Sequence, residues 1–207
     1  MKKIMFAAVA ALTLGFAAET KAESDTWKWS PLGIGIAAPV QLPFTTSNVY
    51  GLRFGGLFGW NERVTGIDVG VGNLATDNEY ALQFGVFNVV RGDFGGLQVG
   101  GLNYNSSIVR AFQVSAVNWN GLSTYGLQVA AVNADLRSLE GVSIGGLNYA
   151  SSVTGLQIGA INLADEVFGV QLGVVNVCDQ MEGIQIGAIN MITTSPVPVL
   201  PVVNVWF

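Results

Sequence analysis

The chain has 207 residues, half of them hydrophobic and 11% charged, with a formal net charge of −5 and no histidine. Lacking a basic stripe, it has nothing to neutralise phosphates with, which argues against nucleic acid as a partner. The missing His rules out Ser-His-Asp and Cys-His catalysis and every His-based metal site.

Lys2 and Lys3 open the chain, and an apolar stretch follows over 4–18. Thr20 and Ala22 then stand at the small-residue positions of a cleavage site, so 1–22 reads as a bacterial signal peptide cut after Ala22. The stretch is short for a bilayer-crossing helix. The remainder, 23–207, is expected to form a single β-repeat domain; its six Lys and Arg against thirteen Asp and Glu leave a charge of −7. With so few charges, much of the surface must avoid water or be covered by small polar groups. A first strand is expected over 32–42, "LGIGIAAPVQL".

From residue 51 the chain repeats itself. Taking the residue before each apolar-Gln-apolar triplet as position 1, units begin at 51, 66, 81, 96, 111, 126, 141, 155, 169, 183 and 197. The spacing is fifteen residues up to 141 and fourteen after it. Position 8 is Asn in all but the first unit: Asn73, Asn88, Asn103, Asn118, Asn133, Asn148, Asn162, Asn176, Asn190 and Asn204. Position 3 is Gln at Gln83, Gln98, Gln113, Gln128, Gln157, Gln171 and Gln185, with Arg53 and Asp68 in the two units before them. Position 5 is small, as at Gly55, Gly70, Gly85, Gly100, Ser115, Ala130 and Gly145. The content of Gly, Val, Ile and Asn, with apolar positions 2, 4, 7 and 9 off any helical period, predicts strands.

Turn formers gather at one place per unit, positions 10–13, as in "TDNE" at 76–79, "RGD" at 91–93, "NSS" at 105–107 and "ADE" at 164–166. One turn implies one strand, roughly the 9–11 residues that cross a membrane. The expected fold is therefore all-β: an antiparallel up-and-down closed barrel of about 12 strands built from 14–15-residue repeats, whose closure removes open edges. A phase slip at positions 5–6 puts Leu156, Ile158, Ile161 and Leu163 on one face, opposite Gln157 and Asn162. In a barrel the first set meets lipid. Arg53, Asp68, Gln83, Gln98, Gln113, Gln128, Gln157, Gln171 and Gln185 then line the lumen, filling it or bordering a small, weakly selective pore. The alternative is a surface-exposed β-solenoid used for adhesion or binding, in which fifteen residues split into three sides and Gln stacks on Gln, Asn on Asn.

The chain ends "VPVLPVVNVWF", where Val203, Val205 and Phe207 alternate and finish on an aromatic. Here it resembles bacterial outer-membrane barrel proteins, whose last strand ends in Phe and is read by the barrel-assembly machinery. The tandem Gly-apolar-Gln-apolar-Gly-x-x-Asn units over roughly 51–207 resemble a bacterial surface-repeat family of small exported proteins. The resemblance implies an exported protein at the outer membrane or cell surface, with outer-membrane lipid and the secretion and barrel-assembly machinery as partners. It brings no activity, catalytic residue, cofactor or ligand.

Little else carries chemistry. Cys178 is alone and reads as a buried, inert thiol. Asp165 and Glu166 are adjacent, a candidate acid–base or calcium pair that turn chemistry explains equally well. Asp68 is the only acid expected to face inward, where Arg53 pairs with it. Trp60, Tyr80, Tyr104, Trp119, Tyr125 and Tyr149 lie near turns, either at the level of an interfacial aromatic belt or packed into the core at strand ends. The expectation is a non-enzymatic surface protein.

Overall fold

The computed structural model describes residues 29–37, 40–42 and 47–207; the signal segment and Trp27 lie outside them. All ten elements are strands: β1 (Trp29–Ala37), β2 (Val40–Leu42), β3 (Asn48–Asn61), β4 (Arg63–Ala75), β5 (Glu79–Val90), β6 (Phe94–Asn105), β7 (Val109–Asn120), β8 (Thr124–Cys178), β9 (Gln180–Ile192) and β10 (Val199–Trp206). They form one sheet in the order β10-β9-β8-β7-β6-β5-β4-β3-β1-β2.

From β3 to β9, neighbours run parallel and in register, unit upon unit. Gln83 lies beside Gln98 and Asn88 beside Asn103, then Gln98 beside Gln113 and Asn103 beside Asn118. A parallel neighbour requires the chain to return to its starting edge, and fifteen residues can do so only if the unit itself is a closed turn of a coil. The architecture is therefore a β-solenoid. This overturns the antiparallel barrel: no pair between β3 and β9 is antiparallel, and among the described residues β10 and β2 end the sheet without pairing to each other. β8, at 55 residues, is unbroken extended chain winding through nearly four coils.

The physical reason lies in the uniformity of the units. Stacked in parallel register, Asn meets Asn along position 8 and Gln meets Gln along most of position 3, so an amide within a row can serve as donor on one side and acceptor on the other. An antiparallel neighbour would set position 8 against a different position and break both rows.

Three corners divide each coil. The first is position 1, where glycines adopt φ values from +129° to +149°. A Cβ on Gly155 would run into the carbonyl oxygen of Gly141, one coil earlier, so close backbone stacking as well as φ selects Gly there. The second corner is at positions 5–7, where strand pairing skips, as between Val99–Val114 and Leu102–Val117. The third lies at the turn formers after position 10. The slip expected at 5–6 is thus present as a corner: Gln157 and Asn162 are buried, while Leu156, Ile158, Ile161 and Leu163 point outward. What reads as one long strand is two sides of a prism, because Gly and Ala let an extended chain bend without a turn motif.

Positions 3, 8, 10 and 14, the last becoming position 13 in the fourteen-residue coils, point inward and fill the prism. At the carboxyl-terminal end the last two columns are apolar, with Leu139, Val153, Val167, Cys178, Met181 and Ile192 packed together. Near the amino-terminal end Ala75, Val90, Phe94 and Val109 do the same. Between them Asn105, Asn120, Thr124 and Asp135 form a buried polar layer.

Both ends depart from the repeat. The strand expected over 32–42 is two strands, β1 parallel to β3 and β2 folded back antiparallel on β1. The unit expected at 197 is no coil either: after 193–198, β10 returns antiparallel to β9. Asn204 consequently faces Gln185 and not Asn190.

Candidate functional site: an amide interior and two apolar sides

The interior holds two amide ladders. In the first, each Asn Nδ2 donates to the Oδ1 of the Asn one coil ahead, from Asn73 through Asn88, Asn103, Asn118, Asn133, Asn148, Asn162 and Asn176 to Asn190, at 2.8–2.9 Å. In several rungs Nδ2 also donates to the position-4 carbonyl of the next coil, as Asn162 does to Leu172 at 2.9 Å. The second ladder runs the other way. Gln98 donates to Gln83 and Gln113 to Gln98 at 2.7 Å, Gln128 to Gln113 at 3.4 Å, then Gln171 to Gln157 and Gln185 to Gln171 at 2.8–2.9 Å. Their side-chain dipoles therefore oppose each other along the axis.

Every residue expected to line a lumen is accordingly packed inside a filled prism. Arg53, Asp68, Gln83, Gln98, Gln113, Gln128, Gln157, Gln171 and Gln185 are all at most 2% exposed, and no pore runs between them. The ladder of Gln is broken once: Ser143 stands at position 3 and bonds Asn148 Oδ1 at 2.8 Å. It is too short to reach along the column, and Gln128 Oε1 and Gln157 Nε2 on either side lack partners.

Charges inside the prism form two groups. Arg53 donates from Nε and Nη2 to both oxygens of Asp68, whose Oδ2 also accepts from Gln83 Nε2 at 3.1 Å. Gln83 Nε2 further donates to Glu79 at 2.9–3.0 Å. Burial, then repulsion from Asp68, raises the Glu79 carboxyl well above the usual carboxylate range despite attraction from Arg53. In the second group Asp135 Oδ1 accepts from Thr124 Oγ1 at 2.6 Å, Gln128 Nε2 at 2.9 Å and Asn120 Nδ2 at 3.0 Å. Burial outweighs these bonds and pushes its carboxyl up to about 6.

Asp68 is thus not the only inward acid. Glu79 and Asp135 sit in "TDNE" and "NADL", where turn chemistry explains an acid by default; only their columns, position 14 and position 10, place them inside. None of the three is more than 1% exposed, so none is open to a substrate. Asp165 and Glu166 lie on the outer surface, and among the described residues no cluster of three or more acids or Cys is arranged to hold a metal. Burial pushes the Cys178 thiol up to about 12, so it is protonated and inert. The best-formed depression among the described residues, beside Gly35, Gln41 and Arg53, holds about 10 Å³, room for one water and no ligand.

What the molecule offers to a partner is its outside. In the coils from 51 to 192, all twenty residues at positions 2 and 4, from Leu52 and Phe54 to Ile184 and Ile186, are Val, Leu, Ile or Phe. Leu32 and Ile34 of β1, and Val203 and Val205 of β10, extend these columns at either end. The next side, positions 7 and 9, carries no charge either, and its outer column holds Trp60, Tyr104, Trp119 and Tyr149. Among the described residues the twelve charged side chains that point outward all lie on the third side, beyond position 10, among them the Arg63–Asp77 pair and Arg110, 5.4 Å over the Tyr125 ring. Phe207 is 85% exposed beyond the end of β10.

Fold and surface together define a β-solenoid with a hydrogen-bonded amide interior and two apolar sides of its three. No family model, curated protein or solved structure matches the chain.

Proposed function

We propose that this is an exported, non-enzymatic solenoid that acts by adhesion, binding through its apolar sides at the bacterial surface. The observation that carries the reading is the sorting of side chains: inward positions 3 and 8 take amides while the apolar groups of positions 2, 4, 7 and 9 turn out, leaving a contiguous apolar surface that runs the length of the coils, the mark of an interaction site. A surface of that size serves contact with something other than water. The closed interior supports a role without catalysis or conduction.

The test is export and contact. Expressed in full in a Gram-negative host, the chain should lose residues 1–22, reach the cell surface, and become accessible there to added protease or a tag-directed antibody. Leu127→Glu should reduce its retention on cells. Recovery of unprocessed protein in the cytoplasm would refute the reading.

A further inference from the structure

Resting on that reading, and deepening it, we infer that the partner of the apolar surface is lipid: the solenoid lies lengthwise in a bilayer interface, its two apolar sides immersed and its charged side in water. The geometry excludes a flat partner. The two sides meet along the position-6 edge, where Val71, Val86, Ala116, Ala131, Ala160 and Val174 carry no polar group. A protein plane, including a second copy of this chain, covers one side of such a wedge and leaves the other in water. Acyl chains flow around both.

A second observation is independent of the first. Amphipathic aromatics border the wedge on both margins, at the height where headgroups would stand. Tyr104 and Tyr149 hold position 9 along one margin, and Trp60 pairs into the same column beside Leu74. Tyr50, Tyr80 and Tyr125 stand in the column just before the position-1 corner along the other, with Tyr80 52% exposed, a column they share with the charged Arg110, Glu140 and Glu182. Among the described residues no strand pairs with the outer edges of β2 and β10, and their backbone groups would be left unsatisfied in hydrocarbon, so the rod sits in the interface and does not cross. Among the described residues, four Arg against eight Asp and Glu on the outward charged side favour zwitterionic over anionic lipid.

The experiment uses the exported form with phosphatidylcholine vesicles, read by co-flotation and by quenching of Trp fluorescence with lipids brominated near the headgroup. Wild type should float and be quenched, and added anionic lipid should weaken binding. Three substitutions in one coil map the orientation: Leu127→Glu on the first apolar side, Val132→Glu on the second, Ser138→Glu on the charged side. The first two should each weaken flotation at least tenfold and the third less than twofold, with unchanged circular dichroism. Wild type that neither floats nor is quenched overturns the inference even if every variant misfolds. Loss on one side only, accompanied by a dimer becoming a monomer in sedimentation, overturns it in favour of a second copy. If vesicles are ignored but Leu127→Glu still abolishes retention on cells, lipid is wrong and adhesion through the apolar sides stands.

Discussion

Ser143 interrupts a column of amides, and the cost is visible on both sides of it, in the unpartnered Gln128 Oε1 and Gln157 Nε2. Both are buried, and each forfeits a bond worth about 1 kcal/mol. In Ser143→Gln, the new Nε2 donates to Gln128 and the new Oε1 accepts from Gln157, restoring the direction the other rungs follow. Asn148 loses the Ser143 hydroxyl but keeps its bond from Asn133. The variant should be roughly 1–2 kcal/mol more stable by urea unfolding; a loss would mean the column has no room for the longer side chain. Asp135 offers the opposite case, a charge placed where its neighbours are amides. Its carboxyl sits at about 6 against an ordinary 3.8, so the folded state binds the proton more tightly than the unfolded chain. Its contribution is most favourable below about pH 3.8 and is lost as pH rises through about 6, by about 3 kcal/mol in all. Glu79, also raised, acts in the same direction. Asp135→Asn keeps the shape and continues the Asn105–Asn120 row, so its unfolding midpoint at pH 7.5 should rise while the gain on acidification to pH 5 shrinks. An unchanged pH profile would show that Asp135 is not the group responsible.

Among the elements, the corners decide what the unit becomes. Position 1 needs Gly where φ is near +135° and the neighbouring coil's carbonyl crowds the site, as at Gly155. Gly155→Ala should therefore cost about 1–3 kcal/mol, read as a lowered thermal midpoint. Ala81 and Ala111 occupy the same corner without a positive φ, so Ala111→Gly should cost no more than about 1 kcal/mol. Equal effects at the two sites would mean the corner tolerates Cβ generally. The same corners mark the limit of legibility. Strand content, the unit boundaries, the phase slip and the outward set Leu156, Ile158, Ile161 and Leu163 all follow from the residues, because alternation records which side chains share a face. Direction does not. A bend at Gly or Ala leaves no turn motif, so "GLQIGAINLA" reads as one straight membrane-length strand when it is two sides of a prism. The burial of Glu79 and Asp135 was hidden for a related reason, since local turn chemistry masks a column that only stacking reveals.

For the whole molecule, the solenoid makes each coil an interchangeable layer whose contacts reach only the coils before and after it. This gives an outcome that no closed sheet shares. Deleting 169–182 removes one coil and joins Phe168 to Gly183. Asn162 then meets Asn190, Gln157 meets Gln185, and Ala164 meets Ile192, so both ladders close across the junction. The shortened chain should fold cooperatively with the same β signal and a modestly lower midpoint, because one layer and its interface are gone. Deleting only 176–182 puts apolar residues over amides in the coil that follows, takes the Asn176 acceptor from Asn162 Nδ2 and the Gln185 donor from Gln171 Oε1, and leaves Gln185 and Asn190 off their columns. Four buried amides at about 1–3 kcal/mol each rival the whole stability of an ordinary domain, so this chain should not fold past the junction. The contrast between fourteen residues and seven, read by circular dichroism and protease resistance, tests the ladder register itself. If both deletions fold alike, or neither does, stacking of identical positions is not what holds the coils together.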